Sequence, residues 1–141
     1  MDPTDPQAHI ELACSTAEQF TKLYYENMDK KRLQLPKMYL DSAAVVWNGN
    51  GYAGGESLIK HLADLPESHH TIQSLDAQKI PENATGNKLA FIIQVSGVVR
   101  YQLFKSTKAF QQNFMLIVDE ERKWKIASDC FRLQESMQAE T

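Results

Sequence analysis

The 141-residue chain is 43% hydrophobic and 23% charged, with 15 basic against 18 acidic side chains and a formal charge of −3. That length suits one domain over 1–141, with a folded core over about 6–134 that needs no disulfide or metal staple. The charge balance offers no whole-domain attraction for nucleic acid and is too mild for an acidic tail. The opening residues Met1 to Pro6 show no basic segment followed by an apolar one, so no signal peptide is expected. No run approaches membrane-spanning length, so no membrane insertion is expected. Cys14 and Cys130 each sit in an apolar pattern and read as reduced core thiols.

In chain order, Asp5 followed by Pro6 reads as a helix cap with proline in the first turn. Ile10, Ala13, Ala17, Phe20 and Tyr24 then recur at helical spacing, with Glu11, Ser15, Glu18, Lys22 and Glu26 on the other side. A short second helix runs to about Tyr39, limited by Pro36. Ala44 to Trp47 is a strand, and Asn48-Gly49-Asn50-Gly51 is a strong hairpin signal. Glu56 to Leu65 reads as a third helix, closed by Pro66.

From His69 the apolar period changes to two. Strands are expected over His70–Ile80, Lys88–Val99, Phe110–Asp119 and Lys123–Leu133, joined as a meander. This order predicts an α+β fold, with three helices near the N-terminus packed as a cone on a curved antiparallel sheet.

The outer face of that sheet carries few charges. Phe91, Ile93 and Val95 oppose Ile92, Gln94 and Ser96, while Gln111, Asn113, Met115 and Ile117 oppose Gln112, Phe114, Leu116 and Val118. In the last strand Trp124, Ile126, Ser128 and Cys130 oppose Lys125, Ala127, Asp129, Phe131 and Leu133. Neither parity is plainly polar, as expected of a face covered by another protein. The reading that places Ala127, Asp129 and Phe131 outward is reversed in part by any one-residue bulge. Asp76 interrupts the alternation of its strand. It reads as an exposed edge residue, as a carboxylate held for an arginine of a partner, or as a cavity acid.

Chemistry is less well marked. Asp41, Asp76, Asp129, Tyr24, Tyr25, Tyr39 and the histidines could serve acid–base work, but no spacing assembles them. His61, His69 and His70 form a loose cluster, and the adjacent pair on a strand points to opposite faces, so no metal is expected. The glycines near Gly49 and Gly54 lack the lysine and hydroxyl of a phosphate loop. Lys30, Lys31 and Arg32, and also Arg100, Lys105 and Lys108 around Tyr101 and Phe104, read as solvated surface.

Several stretches do carry a family resemblance. They are Ala17-Glu18-Gln19-Phe20 with Tyr24-Tyr25, Met28-Asp29-Lys30, Val46-Trp47-Asn48-Gly49-Asn50, Gly54-Gly55-Glu56-Ser57-Leu58, Gln111-Gln112-Asn113-Phe114 and Trp124 to Arg132. Together, over about Ile10 to Gln134, the chain resembles the nuclear transport factor two-like superfamily and, within it, the export-related small subunits. The resemblance implies a subunit without catalytic activity or cofactor. Such a subunit pairs, sheet face to sheet face, with the homologous domain of the large messenger RNA export receptor and supports export through the nuclear pore. It further implies contact with phenylalanine-glycine repeats mainly through that partner, RNA only indirectly, and residence in nucleus and pore with shuttling to the cytoplasm. Asp76 is similar to the family aspartate that meets an arginine of the large subunit. Gln78, Gln94, Gln112, Phe114, Ala127, Asp129 and Phe131 complete the expected contact by strand parity. Two alternatives are a homodimeric import carrier for the GDP form of Ran and a small-molecule isomerase or dehydratase using the cone cavity.

Overall fold

The computed structural model describes residues 6–86, 88–102 and 107–134. The Asp5 cap and the pair Phe104 and Lys105 lie outside them. Elements follow in the order α1 (Pro6–Lys30), a 3-10 helix (Arg32–Met38), β1 (Tyr39–Trp47), β2 (Asn50–Ala53) and α2 (Gly54–Leu62). Then come β3 (Ser68–Lys79), a short 3-10 turn (Glu82–Ala84), β4 (Ala90–Tyr101), β5 (Lys108–Val118) and β6 (Trp124–Gln134).

Proline is tolerated at the start of α1 because the first helical N–H has no intrahelical partner. The buried stripe of α1 begins at Ala13 and runs through Ala17, Phe20, Tyr24 and Met28. Ile10, expected on that stripe, is instead 56% exposed. Pro36 restricts the second helix to 3-10 geometry, since it lacks an N–H and crowds the preceding turn. Arg32 is half-buried rather than a solvated charge. Its guanidinium donates to the carbonyls of Leu62, Leu65 and Pro66 at 2.8, 2.9 and 3.0 Å. It thereby satisfies carbonyl groups at the end of α2 and in the loop that follows.

The hairpin forms as expected. Trp47 pairs with Asn50 across a two-residue loop in which Asn48 and Gly49 both have positive φ, 49° and 86°. Its place in the sheet was not legible locally. The strand order is β2-β1-β6-β5-β4-β3, and β1 runs parallel to β6. The sheet is therefore mixed, which corrects the antiparallel expectation. After β2, α2 carries the chain to the far edge, and the β3–β6 meander returns until β6 lies beside β1.

Two irregularities break the strand period. β3 shifts register between Ile72 and Ser74, and β6 carries an extra residue, Ala127, opposite the Met115/Leu116 step. At the first of these, Gly97 pairs with Ile72, and a Cβ at Gly97 would lie 2.0 Å from the Thr71 carbonyl oxygen. Only glycine lets the two backbones approach so closely. The core sits between α1, α2 and the inner sheet face, with Phe91, Ile93, Phe110, Phe114, Leu116, Ile126 and Phe131 fully buried. Cys14 and Cys130 are free and exposed rather than core thiols.

Candidate functional site

The outer sheet face is built by residues that alternate with this core. On β3 and β4 the parity is as expected. Asp76, Gln78 and Gln94 are exposed, while Val95 and Ile93 point inward. Antiparallel register sets Asp76 opposite Gln94, and Gln94 opposite Asn113. One pleat along, Gln78 faces Ile92, and Ile92 faces Met115. A depression of about 280 Å³ sits over the first row, lined by Ser74, Asp76, Gln94, Ser96, Gln111 and Asn113. The hydroxyls of Ser74 and Ser96 are hydrogen-bonded to each other at its edge. Asp76 is the one charged group in this lining. It forms no ion pair among the described residues. Ile92 and Val46, 44% and 39% exposed, add apolar area to the same face. The surface thus offers an unpaired carboxylate, amides and hydroxyls beside aliphatic side chains, the composition of an ordinary protein interface.

Four expected contact residues lie on the other face. Gln112, Phe114, Asp129 and Phe131 are 0%, 1%, 2% and 1% exposed and belong to the interior. On β6 the cause is the Ala127 bulge. Ile126 faces inward before it and Asp129 and Phe131 after it, so parity reverses within one strand. Ala127 itself is the unpaired, half-buried residue of the bulge. On β5 no bulge displaces Gln112. Strand parity leaves open which face is inner, and Gln112 lies inside because partners satisfy its amide there.

Those partners form a closed polar cluster. Tyr39 donates to Asp129 Oδ2 at 2.6 Å, and Tyr24 lies 3.4 Å from the same oxygen and 3.0 Å from the Tyr39 hydroxyl. Gln112 Nε2 donates to Asp129 Oδ1 at 2.8 Å and to Tyr24 at 3.2 Å, while its Oε1 accepts from Tyr25 at 2.6 Å. Burial raises the Asp129 carboxyl to about 6, against the lowering effect of its hydrogen bonds from Tyr39, Gln112 and Tyr24. Burial and the Asp129 charge push Tyr24 and Tyr39 well above the ordinary phenol range. Such a cluster has the groups of an acid–base site. However, its members are enclosed, and packing of Tyr24 against Phe20, Tyr25 and Phe114 fills the space around it. The signal that could have found it is the pair Tyr24-Tyr25, whose hydroxyls on a buried helix stripe demand polar partners inside.

A second polar group closes the start of β3. Asp29 accepts from the His70 N–H at 2.8 Å and from Ser68 Oγ at 2.7 Å, and His70 Nδ1 lies 2.7 Å from its Oδ1. Burial pushes the Asp29 carboxyl up, but the hydrogen bonds and charge of His70 with the Ser68 bond outweigh it, leaving the group below its usual value. His61 packs on Tyr52 and Trp47, and His69 is exposed on the opposite side from His70. No three metal-ligating side chains converge among the described residues.

The comparisons agree with this architecture. The Nuclear transport factor 2 (NTF2) domain model matches residues 16–133. NTF2-related export protein 2 of Homo sapiens is 39% identical over 134 residues, covering 93% of this chain and 94% of its own. Nuclear transport factor 2 of Cryptosporidium parvum superposes with a TM-score of 0.75 at 23% identity, over 92% of this chain and 97% of its own. The Candida albicans Mtr2-Mex67 M domain complex contains a chain with a TM-score of 0.64 at 19% identity, over 84% and 94%. At those identities the structures speak for the fold alone. On the domain match and the 39% identity, this chain belongs to the NTF2-related export protein family, within the nuclear transport factor 2 fold.

Proposed function

We propose that this protein is a non-enzymatic small subunit of a messenger RNA export receptor, working as a heterodimer with the homologous domain of the large subunit. The observation that carries this reading is the outer sheet face, with Asp76 unpaired beside Gln94 and Asn113 in a polar depression. A guanidinium seated there would form a charge-assisted bond and gain further acceptors from the side-chain oxygens of Gln94, Ser96 and Asn113. Gln78 extends the contact surface on the same strand. Within the interface so drawn, Ile92 and Met115 take the place of the residues found buried. In support of the partner, the Candida albicans relative of the same fold was solved as an Mtr2-Mex67 M domain complex.

In this reading the chain is one nuclear transport factor 2-like domain, resident in the nucleus and at the pore and shuttling to the cytoplasm. Phenylalanine-glycine repeats and RNA are reached through the large subunit. The sheet wraps the helices as a cone, a form supported by the two register shifts, which increase local twist. The enclosed Tyr24–Tyr39–Gln112–Asp129 cluster holds the core together and performs no reaction. Co-expression with the homologous domain of the large subunit is expected to give a one-to-one complex. A monodisperse homodimer that binds the GDP form of Ran in a pull-down, with no heterodimer, would overturn the proposal in favour of the import carrier.

A further inference from the structure

A groove of about 450 Å³ opens between α1, the 3-10 helix and the start of β6. Phe20 and Leu23 of α1 and the indole of Trp124 supply its apolar surface, and Lys37, Lys123 and Lys125 supply its charges. It shares no residue with the depression around Asp76, so the two surfaces can be occupied at once.

Three features mark the groove as a site for a ligand. Leu23 is 51% exposed on the groove wall beside Phe20 and Trp124, so an apolar side chain lies open to a ligand there. All three ionic side chains of the lining are cationic, in a chain whose overall charge is −3. One of the cations is also held in place, and the backbone that presents a second is fixed. Lys125 Nζ donates to the Lys37 carbonyl at 2.6 Å, and Asp119 Oδ1 accepts the Lys123 N–H at 2.9 Å in the turn that presents this residue. The pairing of Lys123 with Glu121, at 3.4 Å between two exposed groups, is readily exchanged for another anion.

We propose that this groove binds an acidic peptide segment of a partner protein, seating one bulky apolar side chain against Trp124 and Leu23 with carboxylates on the lysines. Three cations from two separate segments call for more than one negative group. A single-headed amphiphile such as a fatty acid satisfies only one of them. A helix laid lengthwise needs a track of anchors at successive turns, whereas here one apolar floor is offered. The side chain supplies burial at its centre, and the carboxylates supply orientation and a fast, salt-sensitive approach. The site is independent of the export reading.

The experiment is a titration of the full chain with a capped pentapeptide, a leucine flanked by two glutamates on each side, followed by tryptophan fluorescence. Trp47 is stacked on Phe131 at 4.0 Å in the interior, so a change in emission reports Trp124. Saturable binding is expected, weakened about tenfold or more by the triple change Lys37→Glu, Lys123→Glu and Lys125→Glu, and weakened by added salt. Leu23→Asp should act alike without touching a lysine, and it decides the matter if the triple variant does not fold. Equal affinity for the wild type and the folded variants overturns the proposal, as does a serine-centred peptide that binds as well as the leucine one. Binding of decanoate with none of the peptide assigns the groove to a small amphiphile instead. Heterodimer formation in co-expression should be unchanged by these variants, which separates failure here from failure of the export reading.

Discussion

At Asp129 the protein keeps a carboxylate where burial opposes ionisation, and Tyr39, Gln112 and Tyr24 only partly offset that cost. The folded group titrates at about 6, against an ordinary value of 3.8. The folded state therefore binds the proton more tightly than the unfolded chain. Its contribution to stability is fully present below the unfolded value and is lost as pH rises through the folded one. The full difference amounts to about 3 kcal/mol, of which about 2 kcal/mol is lost between pH 4 and pH 7. Asp129→Asn should remove this dependence. Urea unfolding at pH 4.5 and pH 7 is expected to show the wild type losing stability, relative to the variant, as pH rises. Parallel curves for the two proteins would show that the carboxyl is not desolvated. Gln112 and Asp129 also show that a polar side chain in a strand can belong to the core. A polar side chain in a strand signals water only if no polar partner waits inside, and here two tyrosines on α1 did wait.

Elements were legible wherever their cause is local. The Asn48-Gly49 loop, the period of α1 and the β3–β6 meander follow from chain-neighbour chemistry, and each stands near its expected bounds. What escaped was irregularity. The Ala127 bulge turned Asp129 and Phe131 inward, and no residue type at Ala127 announces an extra position. The β3 irregularity left one trace, Gly97, whose absent side chain makes room for the Thr71 carbonyl. Gly97→Ala should destabilise the fold by about 1–3 kcal/mol through overpacking, measured as a lower urea midpoint with an unchanged slope. Arg32 is the matching case on the helical side. Arg32→Ala leaves the Leu62, Leu65 and Pro66 carbonyls without their donor, and a loss of about 2–3 kcal/mol is expected in the same measurement. A solvated arginine, as the basic run around it suggested, would give almost none.

At the scale of the whole molecule the two sheet faces divide the work. The inner one packs aromatic side chains around the buried tyrosine–carboxylate cluster. The outer one remains open around Asp76. Asp76→Arg is expected to weaken the heterodimer at least about tenfold, measured by calorimetry with the large-subunit domain, because a cation would face the arginine proposed to meet Asp76. The isolated variant should unfold at the wild-type midpoint, since Asp76 holds no ion pair in the described structure. The sequence by itself determined the α+β class, the hairpin, the family and the outward place of Asp76, Gln78 and Gln94. Each follows from local periodicity, turn chemistry or motif. Only the tertiary structure decided that β1 lies parallel to β6, that Gln112, Phe114, Asp129 and Phe131 belong inside, and that a cationic groove opens beside Trp124. These depend on which distant strand becomes a neighbour and where a bulge shifts the register, and neither is encoded in the pattern of any one segment.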